Sequence, residues 1–299
     1  MQLPDAWYVV ASSDEIGKKP VAVDLFSQKF VLWRDSTGTV VMQSDVCPHR
    51  SASLSLGEVI NNCITCPFHG FVFDTNGLCS FIPETGRPAP NLKLETFNTV
   101  ERHGFVWLKR GENLPESPPW FDQLNEKLVS YQSIHEWPTH ISRCVENQLD
   151  YAHLPFVHKR TIGHSVNVLG PRRIDCDERE IKMYVDAENS DIPTIRFIFP
   201  NLWLLTIKPE KFFQFIAFVP VAPGVTRLYL RAYQGFFTVP GLASLLGPVF
   251  NFSNSIILSE DRQVVLSQRP LDSSTTSDEK LFPSDRAIKF FRELWRLNT

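Results

Sequence analysis

The sequence predicts an α+β protein in two parts, an all-β N-terminal domain followed by an antiparallel sheet packed with helices. Three observations carry that expectation. Short β-branched and aromatic runs fill the first third of the chain. A proline-rich stretch, Gly111-Glu112-Asn113-Leu114-Pro115-Glu116-Ser117-Pro118-Pro119, then interrupts the pattern. Beyond it, strand-like runs alternate with stretches of helical period. With 43% hydrophobic and 21% charged residues over 299 positions, the chain can bury two cores and shows no sign of disorder. We place the boundary in the proline-rich stretch, giving domains 1–112 and 113–299.

In the first domain the runs 7–11, 29–33 and 40–42 read as strands separated by Asp, Ser, Thr and Gly, and 104–108 as the closing strand. In the second, residues 143–153 read as a helix broken near Pro155. The runs 181–185, 194–199, 202–207, 212–219 and 227–233 suggest an antiparallel sheet, and 251–268 and 284–296 two final helices. Residues 236–252 are apolar but contain Pro240, Gly241, Gly247 and Pro248. At about 17 residues they sit at the short limit of a membrane helix. We read them as a buried connection leading into a helix, in preference to a membrane-facing patch. No internal repeat is visible.

A net charge of −3 argues against nucleic acid as a partner. The opening residues, Met1-Gln2-Leu3-Pro4-Asp5-Ala6-Trp7, lack the charged and apolar regions of an export signal, so a cytoplasmic protein is expected. The six cysteines, Cys47, Cys63, Cys66, Cys79, Cys144 and Cys176, then read as metal ligands or free thiols, not disulfides.

Cys47-Pro48-His49 and Cys66-Pro67-Phe68-His69 bring two Cys and two His on two short loops, separated by residues 50–65. A structural zinc site also uses this donor set. Zinc fingers usually pair cysteine with cysteine and histidine with histidine, whereas here each loop carries one of each. A Rieske [2Fe–2S] cluster needs that mixture, because two Cys hold one iron and two His the other. The spacing favours the cluster strongly over zinc.

A second constellation is the run from Glu146 to His158. Asn147, Asp150 and His153 recur every three residues, so they are expected along one side of a helix. His158 follows, and the break at Pro155 would let it converge with His153. The competing reading is a polar surface helix with two incidental histidines. The interleaved Leu149, Leu154, Phe156 and Val157 point instead to a partly buried segment, where polar groups need partners and a metal would supply one. A third, carboxylate ligand would complete a two-His-one-carboxylate face with open positions for O2. Asp261 has Ile257, Leu258, Val264 and Val265 as helical neighbours, and Glu260 has Ile256, Ile257, Gln263 and Val264. Periodicity barely separates the two, and an Arg salt bridge would also explain a carboxylate there.

Residues 7–110 resemble Rieske domains throughout, including His49-Arg50 and His69-Gly70. The likeness is to the oxygenase branch: respiratory Rieske proteins carry two further cysteines that form a disulfide, and the matching positions here are Ala52 and Phe68. The pattern Asn147, Asp150, His153, His158 resembles the iron-binding segment of Rieske oxygenases without a gap, and the Glu260-Asp261 to Gln268 region resembles the helix that supplies the aspartate ligand. The resemblance therefore implies a Rieske [2Fe–2S] domain over 1–112 and a helix-grip-like catalytic domain with mononuclear Fe(2+) over 113–299. It implies Cys47, His49, Cys66 and His69 as cluster ligands and His153, His158 and Asp261 as iron ligands. It implies Asp150 as the link between His69 of one chain and His153 of the next in a homotrimer. Asn147 would either adjust the open side of the iron or buttress the helix.

The general likeness is to short Rieske monooxygenases: vanillate-type demethylases, chlorophyll-pathway oxygenases and cyanobacterial hydroxylases of saxitoxin-like alkaloids. The segment Phe282-Pro283-Ser284-Asp285-Arg286 and the helix expected after it resemble the last group, and the expected lack of a C-terminal membrane anchor weighs against the plant chlorophyll-pathway members. The expected activity is hydroxylation or oxidative demethylation of a ring-containing organic substrate. No Gly-x-Gly-x-x-Gly occurs, so a separate ferredoxin or flavin reductase is expected to supply electrons. Trp203, Leu205, Phe213 and Phe215 are candidate pocket walls, but alternating large apolar residues in a strand are more often plain core, and no substrate contact is assigned to them. The competing classes are a Rieske electron-transfer or redox-sensing protein without a second iron, and a zinc-stabilised binding module. The first leaves the 147–158 array and Asp261 unexplained; the second explains only 47–69.

Overall fold

A computed structural model describes residues 2–164, 166, 173–185, 191–237, 242–274 and 278–299. The chain divides into two compact units, Asp5–Pro118 and Pro119–Thr299, the latter joined by Met1–Pro4.

The first unit is built from twelve strands: β1 Ala6–Ser12, β2 Val21–Leu25, β3 Gln28–Arg34, β4 Val40–Ser44, β5 Glu58–Ile60, β6 Cys63–Thr65, β7 Val72–Phe73, β8 Leu78–Ile82, β9 Arg87–Lys93, β10 Thr96–Phe97, β11 Thr99–Arg102 and β12 Phe105–Arg110. They form three antiparallel sheets in the orders β1-β12-β11, β10-β4-β3-β2 and β5-β6-β7-β8-β9. The strands' β-branched and aromatic residues explain the class, since such side chains pack well on pleated surfaces. Val31, Trp33, Val41, Leu54, Ile64, Phe71 and Phe73 form one core beneath the loops that carry Cys47 and Cys66. The proline-rich stretch is fastened to this unit. Trp7 Nε1 donates to the Pro115 carbonyl at 3.0 Å, and Arg102 donates to the Ser117 hydroxyl at 2.8 Å.

The second unit has a seven-stranded antiparallel sheet. Its strands are β13 Val129–Trp137, β14 Arg173–Cys176, β15 Glu180–Tyr184, β16 Ile195–Ile198, β17 Leu202–Lys208, β18 Phe212–Ala222 and β19 Val225–Gln234, in the order β13-β19-β18-β17-β16-β15-β14. Four helices accompany it among the described residues: α1 Ile141–Leu149, α2 Leu154–Val157, α3 Leu242–Val265 and α4 Arg286–Asn298.

Register assigns the two faces of the sheet. Trp203 pairs with Ile216 and Leu205 with Gln214, so these four side chains share a face. Trp203 Nε1 donates to the Gln148 carbonyl of α1 at 3.0 Å, and Gln214 Nε2 donates to Asn254 Oδ1 of α3 at 2.7 Å, which makes this the helix-covered face. Phe213 and Phe215 pair with Thr206 and Leu204 and point the other way, where Phe215 packs on Trp120 and Phe121. The four candidates Trp203, Leu205, Phe213 and Phe215 therefore do not share one wall: period-2 alternation puts the phenylalanines on the far face, and Trp203, Phe213 and Phe215 are buried, as the core reading has them.

Helix boundaries also differ from expectation. The helix expected over 143–153 runs only from Ile141 to Leu149, and the break falls at Asp150, not near Pro155. His140 caps its start, accepting the Ser142 N–H at Nδ1. Asp150 turns extended, φ −87° and ψ 105°, while its N–H still closes on the Glu146 carbonyl. Pro155 lies in the first turn of α2, where a missing N–H costs nothing. The helix expected from 251 already begins at Leu242 and contains Pro248. The stretch 236–252 is not a buried connection where it is described: Phe236, Phe237, Val249 and Phe252 are all exposed, and residues 238–241 lie outside the described residues. No helix among the described residues is long and apolar enough to cross a membrane.

Candidate metal centres

The two Cys/His loops of the first unit have the same backbone design. Cys47 N–H donates to the Ala52 carbonyl and Ser51 N–H to the Cys47 carbonyl; Cys66 N–H donates to Phe71 and Gly70 N–H to Cys66. In each loop the residue four after the cysteine takes a left-handed conformation, Ser51 at φ 57° and Gly70 at φ 69°. A Cβ on Gly70 would meet Pro83 at 2.9 Å, so a side chain there would be strained by φ and would have to displace the Pro83 ring. These turns bury Cys47 and Cys66 and leave His49 and His69 exposed. The two imidazoles approach to 4.7 Å between ring centroids, and Phe71 stacks under His49 at 4.5 Å.

Burial pushes the Cys47 thiol up to about 11; the backbone N–H groups of His49 and Arg50 pull the other way, and the neighbouring Cys66 adds to the rise. Two buried sulfurs crowded together are stabilised when a metal takes the charge. The buried sulfurs and exposed imidazoles fit a cluster with one iron on each pair. Cys63 and Cys79 are free and lie on strands, outside both loops.

In the second unit His153, His158 and Asp261 converge, with one ligand atom from each lying within 4.8 Å of the others. Asp261 Oδ1 stands 2.9 Å from His158 Nε2 and 3.3 Å from His153 Nε2. The local folding explains each placement. The break at Asp150 turns the chain so that His153 starts α2 and His158 ends it, with ring centroids 5.3 Å apart. Asp261 lies on the inner face of α3 with Asn254, Leu258 and Val265, all buried at helical spacing.

The site is charged and dry. Asp261 is 2% exposed. Burial raises its pKa, but the close approach of His153 and His158 and their charges outweigh that and hold it at about 2. Burial likewise works against charge on His158, yet Asp261 and Glu260 together carry its pKa above the ordinary range. His153 Nε2 is the informative atom. It is buried and, although 3.3 Å from Asp261, lacks a well-directed hydrogen bond. A buried ring nitrogen aimed at a carboxylate and a second imidazole, with no bond of its own, fits a bound cation.

Glu260 is separated from Asp261 by the His158 ring. Its Oε2 accepts from His158 Nδ1 at 2.8 Å, the nitrogen opposite the one facing Asp261. Asp150 does not lie along α1 with Asn147, as the three-residue spacing suggests, because the helix has ended. It is the Asp150 carbonyl that takes the His153 Nδ1 proton, at 2.5 Å; the Asp150 carboxylate is 3.9 Å away and takes the Ala152 N–H instead. Burial raises the Asp150 pKa, with His153 opposing. Asn147 Nδ2 is buried and has no hydrogen-bond partner. Sequence reasoning did not find Thr161, which donates to Glu260 at 2.8 Å, nor the Gln214–Asn254 pair; a threonine and two amides at such distances leave no spacing signal.

The fold and these two donor sets define a class: Rieske-domain proteins with a separate two-histidine-one-carboxylate group. The Rieske [2Fe–2S] domain family matches residues 6–98. Among curated proteins, a putative toluene-4-sulfonate monooxygenase system iron-sulfur subunit, TsaM2 of Comamonas testosteroni, is 34% identical over 54% of this chain and 48% of its own length. The chloroplastic chlorophyllide a oxygenase of Oryza sativa subsp. japonica is 31% identical over 89% of this chain and 52% of its own. Among solved structures, a Pseudomonas putida NdmA mutant with theobromine matches at TM-score 0.81 and 25% identity, covering 98% of this chain and 89% of that one. The chain spans about half the length of these curated relatives. The chain thus carries a Rieske [2Fe–2S] domain and is similar over most of its length to Rieske oxygenases.

Proposed function

We propose that this chain is a monooxygenase that hydroxylates or oxidatively demethylates a ring-containing organic substrate, with electrons from a separate ferredoxin or flavin reductase. The observation that carries the reading is the convergence of His153, His158 and Asp261 on one point in a chain that also has the two Cys/His loops. When bound, the cluster supplies single electrons and the mononuclear iron supplies open positions where O2 is activated.

The protein's own residues divide the remaining work. Cys47 and Cys66 hold one iron of the cluster and His49 and His69 the other. Their placement puts the thiolates in the core and the imidazoles at the surface, where electrons can pass. His153, His158 and Asp261 hold the mononuclear iron on one face. The buried amide of Asn147, with its unpartnered Nδ2, adjusts the open side. Asp150 Oδ1 is engaged by a backbone N–H, while the side chain stays 31% exposed. That leaves a carboxylate oxygen for His69 of a neighbouring copy in a homotrimer, while the Asp150 carbonyl fixes His153 from behind. Beyond the two cluster cysteines, Cys63, Cys79, Cys144 and Cys176 are free thiols that suit a reducing compartment, and we assign the chain to the cytoplasm. A ring substrate is supported by relatives named for toluene-4-sulfonate and chlorophyllide a.

Metal and acid-labile sulfide analysis tests this reading. The expected content is about three irons and two sulfides per chain. Two irons would leave only an electron carrier, and zinc without sulfide would reject the reading. O2 uptake with a reductase over a panel of methoxylated and heteroaromatic rings then sorts hydroxylation from demethylation, since demethylation releases formaldehyde.

A further inference from the structure

We propose that Glu260 is the positioning residue of the mononuclear site, and that with Thr161 it holds the His158 ring from behind so that Nε2 stays turned toward Asp261. The proposal rests on the reading of His153, His158 and Asp261 as an iron site.

A histidine that binds a metal through one ring nitrogen carries its proton on the other, and that N–H needs an acceptor to fix the tautomer and the plane of the ring. The two histidines here meet that need differently. His153 Nδ1 is held at 2.5 Å by the carbonyl of Asp150, three residues earlier. His158 has no such local acceptor among its described hydrogen bonds. Its Nδ1 lies 2.8 Å from Glu260 Oε2, across a separation of 102 positions. Successive residues on a helix diverge by about 100°. Glu260 and Asp261 therefore cannot point to the same place, and the ring lies between them with Nε2 on Asp261 and Nδ1 on Glu260.

Thr161 completes the hold. Its hydroxyl donates to the same Glu260 oxygen at 2.8 Å, and its own N–H closes on the His158 carbonyl at 2.9 Å. The turn after α2 thus fixes the carboxylate that fixes the ring. At 25% exposure the Glu260 side chain keeps contact with water, so it holds its charge without the desolvation cost that Asp261 bears. Glu260 thereby ties the histidine segment to α3, the helix that bears Asp261.

Anaerobic titration of the cluster-loaded full-length chain with Fe(2+), against a chelator, reads the effect directly. Co(2+) substitution reports coordination through its visible absorption. Glu260→Ala should weaken Fe(2+) binding by about 10- to 100-fold and shift the Co(2+) bands, with the cluster's EPR signal unchanged. Glu260→Gln keeps an acceptor oxygen and should recover most of the affinity. Thr161→Val should lose only a few-fold. Asp261→Asn is the control for the site and should lose more than any of these. If Asp261→Asn abolishes binding while Glu260→Ala leaves affinity and Co(2+) bands unchanged, the positioning role is wrong and the iron site stands. If Glu260→Gln is as damaging as Asp261→Asn, Glu260 is a ligand and the proposal fails. If Asp261→Asn leaves binding intact, the iron-site reading itself falls.

Discussion

The two candidate metal regions differ in how far apart along the chain their parts lie and in which atoms they hide. In the first unit the four donors sit on two loops of one backbone design, between Cys47 and His69, and the histidines are left at the surface. In the second, His158 and Asp261 are 103 positions apart, and both are buried. The first arrangement is local, set by turn geometry over a β core. The second depends on a helix break, a short second helix and the docking of α3. A region built from local turns tolerates change elsewhere in the fold; one assembled across the chain is exposed to every element that positions it.

The sharpest way to break this comparison is to empty one region at a time. Asp261→Ala should lose the mononuclear iron and product formation, by more than about 100-fold, while the cluster's colour and EPR signal stay as in the parent. His69→Ala should lose the cluster signal and product formation while keeping the mononuclear iron. Loss of the cluster signal in Asp261→Ala would show that the two regions are not loaded independently.

A second perturbation tests how far the buried site depends on distant packing. Glu146, on the last turn of α1, accepts from Arg143 at 3.1 Å and from Arg292 of α4 at 2.6 and 3.0 Å. Glu279 joins both arginines. Glu146→Ala leaves two buried guanidinium groups with Glu279 as their shared carboxylate and should cost about 1–3 kcal/mol in the second unit. Calorimetry should then show one transition lowered and the cluster-bearing unit unmoved. A uniform shift of both would remove the distinction drawn above.

Asp150→Asn comes next. Both metals should remain, because the carbonyl that holds His153 is untouched, while product formation slows by about 10- to 100-fold. If electrons cross between copies, trimers mixed from His69→Ala and His153→Ala chains should recover part of the activity that each lacks alone. No recovery in verified mixed trimers would place transfer within one chain.

The smallest effect belongs to the first unit. Arg34 donates to both oxygens of Glu101 at 2.8 Å, and that bond holds the Glu101 pKa below its ordinary value. A carboxylate depressed in the folded state contributes stability above its unfolded pKa and loses it as pH falls through the folded pKa. Glu101→Gln should therefore flatten the acid side of the stability profile. The pair is partly exposed, so the loss near neutral pH should be no more than about 1 kcal/mol. A loss of several kcal/mol would show this unit to be as dependent on buried charge as the other.

Contiguous residues alone were enough to read the class of each domain and to single out the two mixed Cys/His loops. Strand runs and the two mixed Cys/His loops are written in contiguous residues, and their chemistry needs no long-range information. The sequence also supplied the histidines at 153 and 158, because ligand-type residues recur closely there. Tertiary structure alone decided the rest. Periodicity could not choose between Glu260 and Asp261, since both have nearly the same helical neighbours. Only the seating of α3 puts Asp261 at Nε2 of His158 and Glu260 at Nδ1. Spacing by three suggested one helix through Asn147, Asp150 and His153. The chain instead leaves the helix at Asp150, and that residue's carbonyl, freed from the helical ladder, takes the His153 proton. Strand register likewise sent Phe213 and Phe215 away from the helices. A pattern in sequence fixes which residues can share a face of one element, but which face meets which partner is settled only when the elements pack.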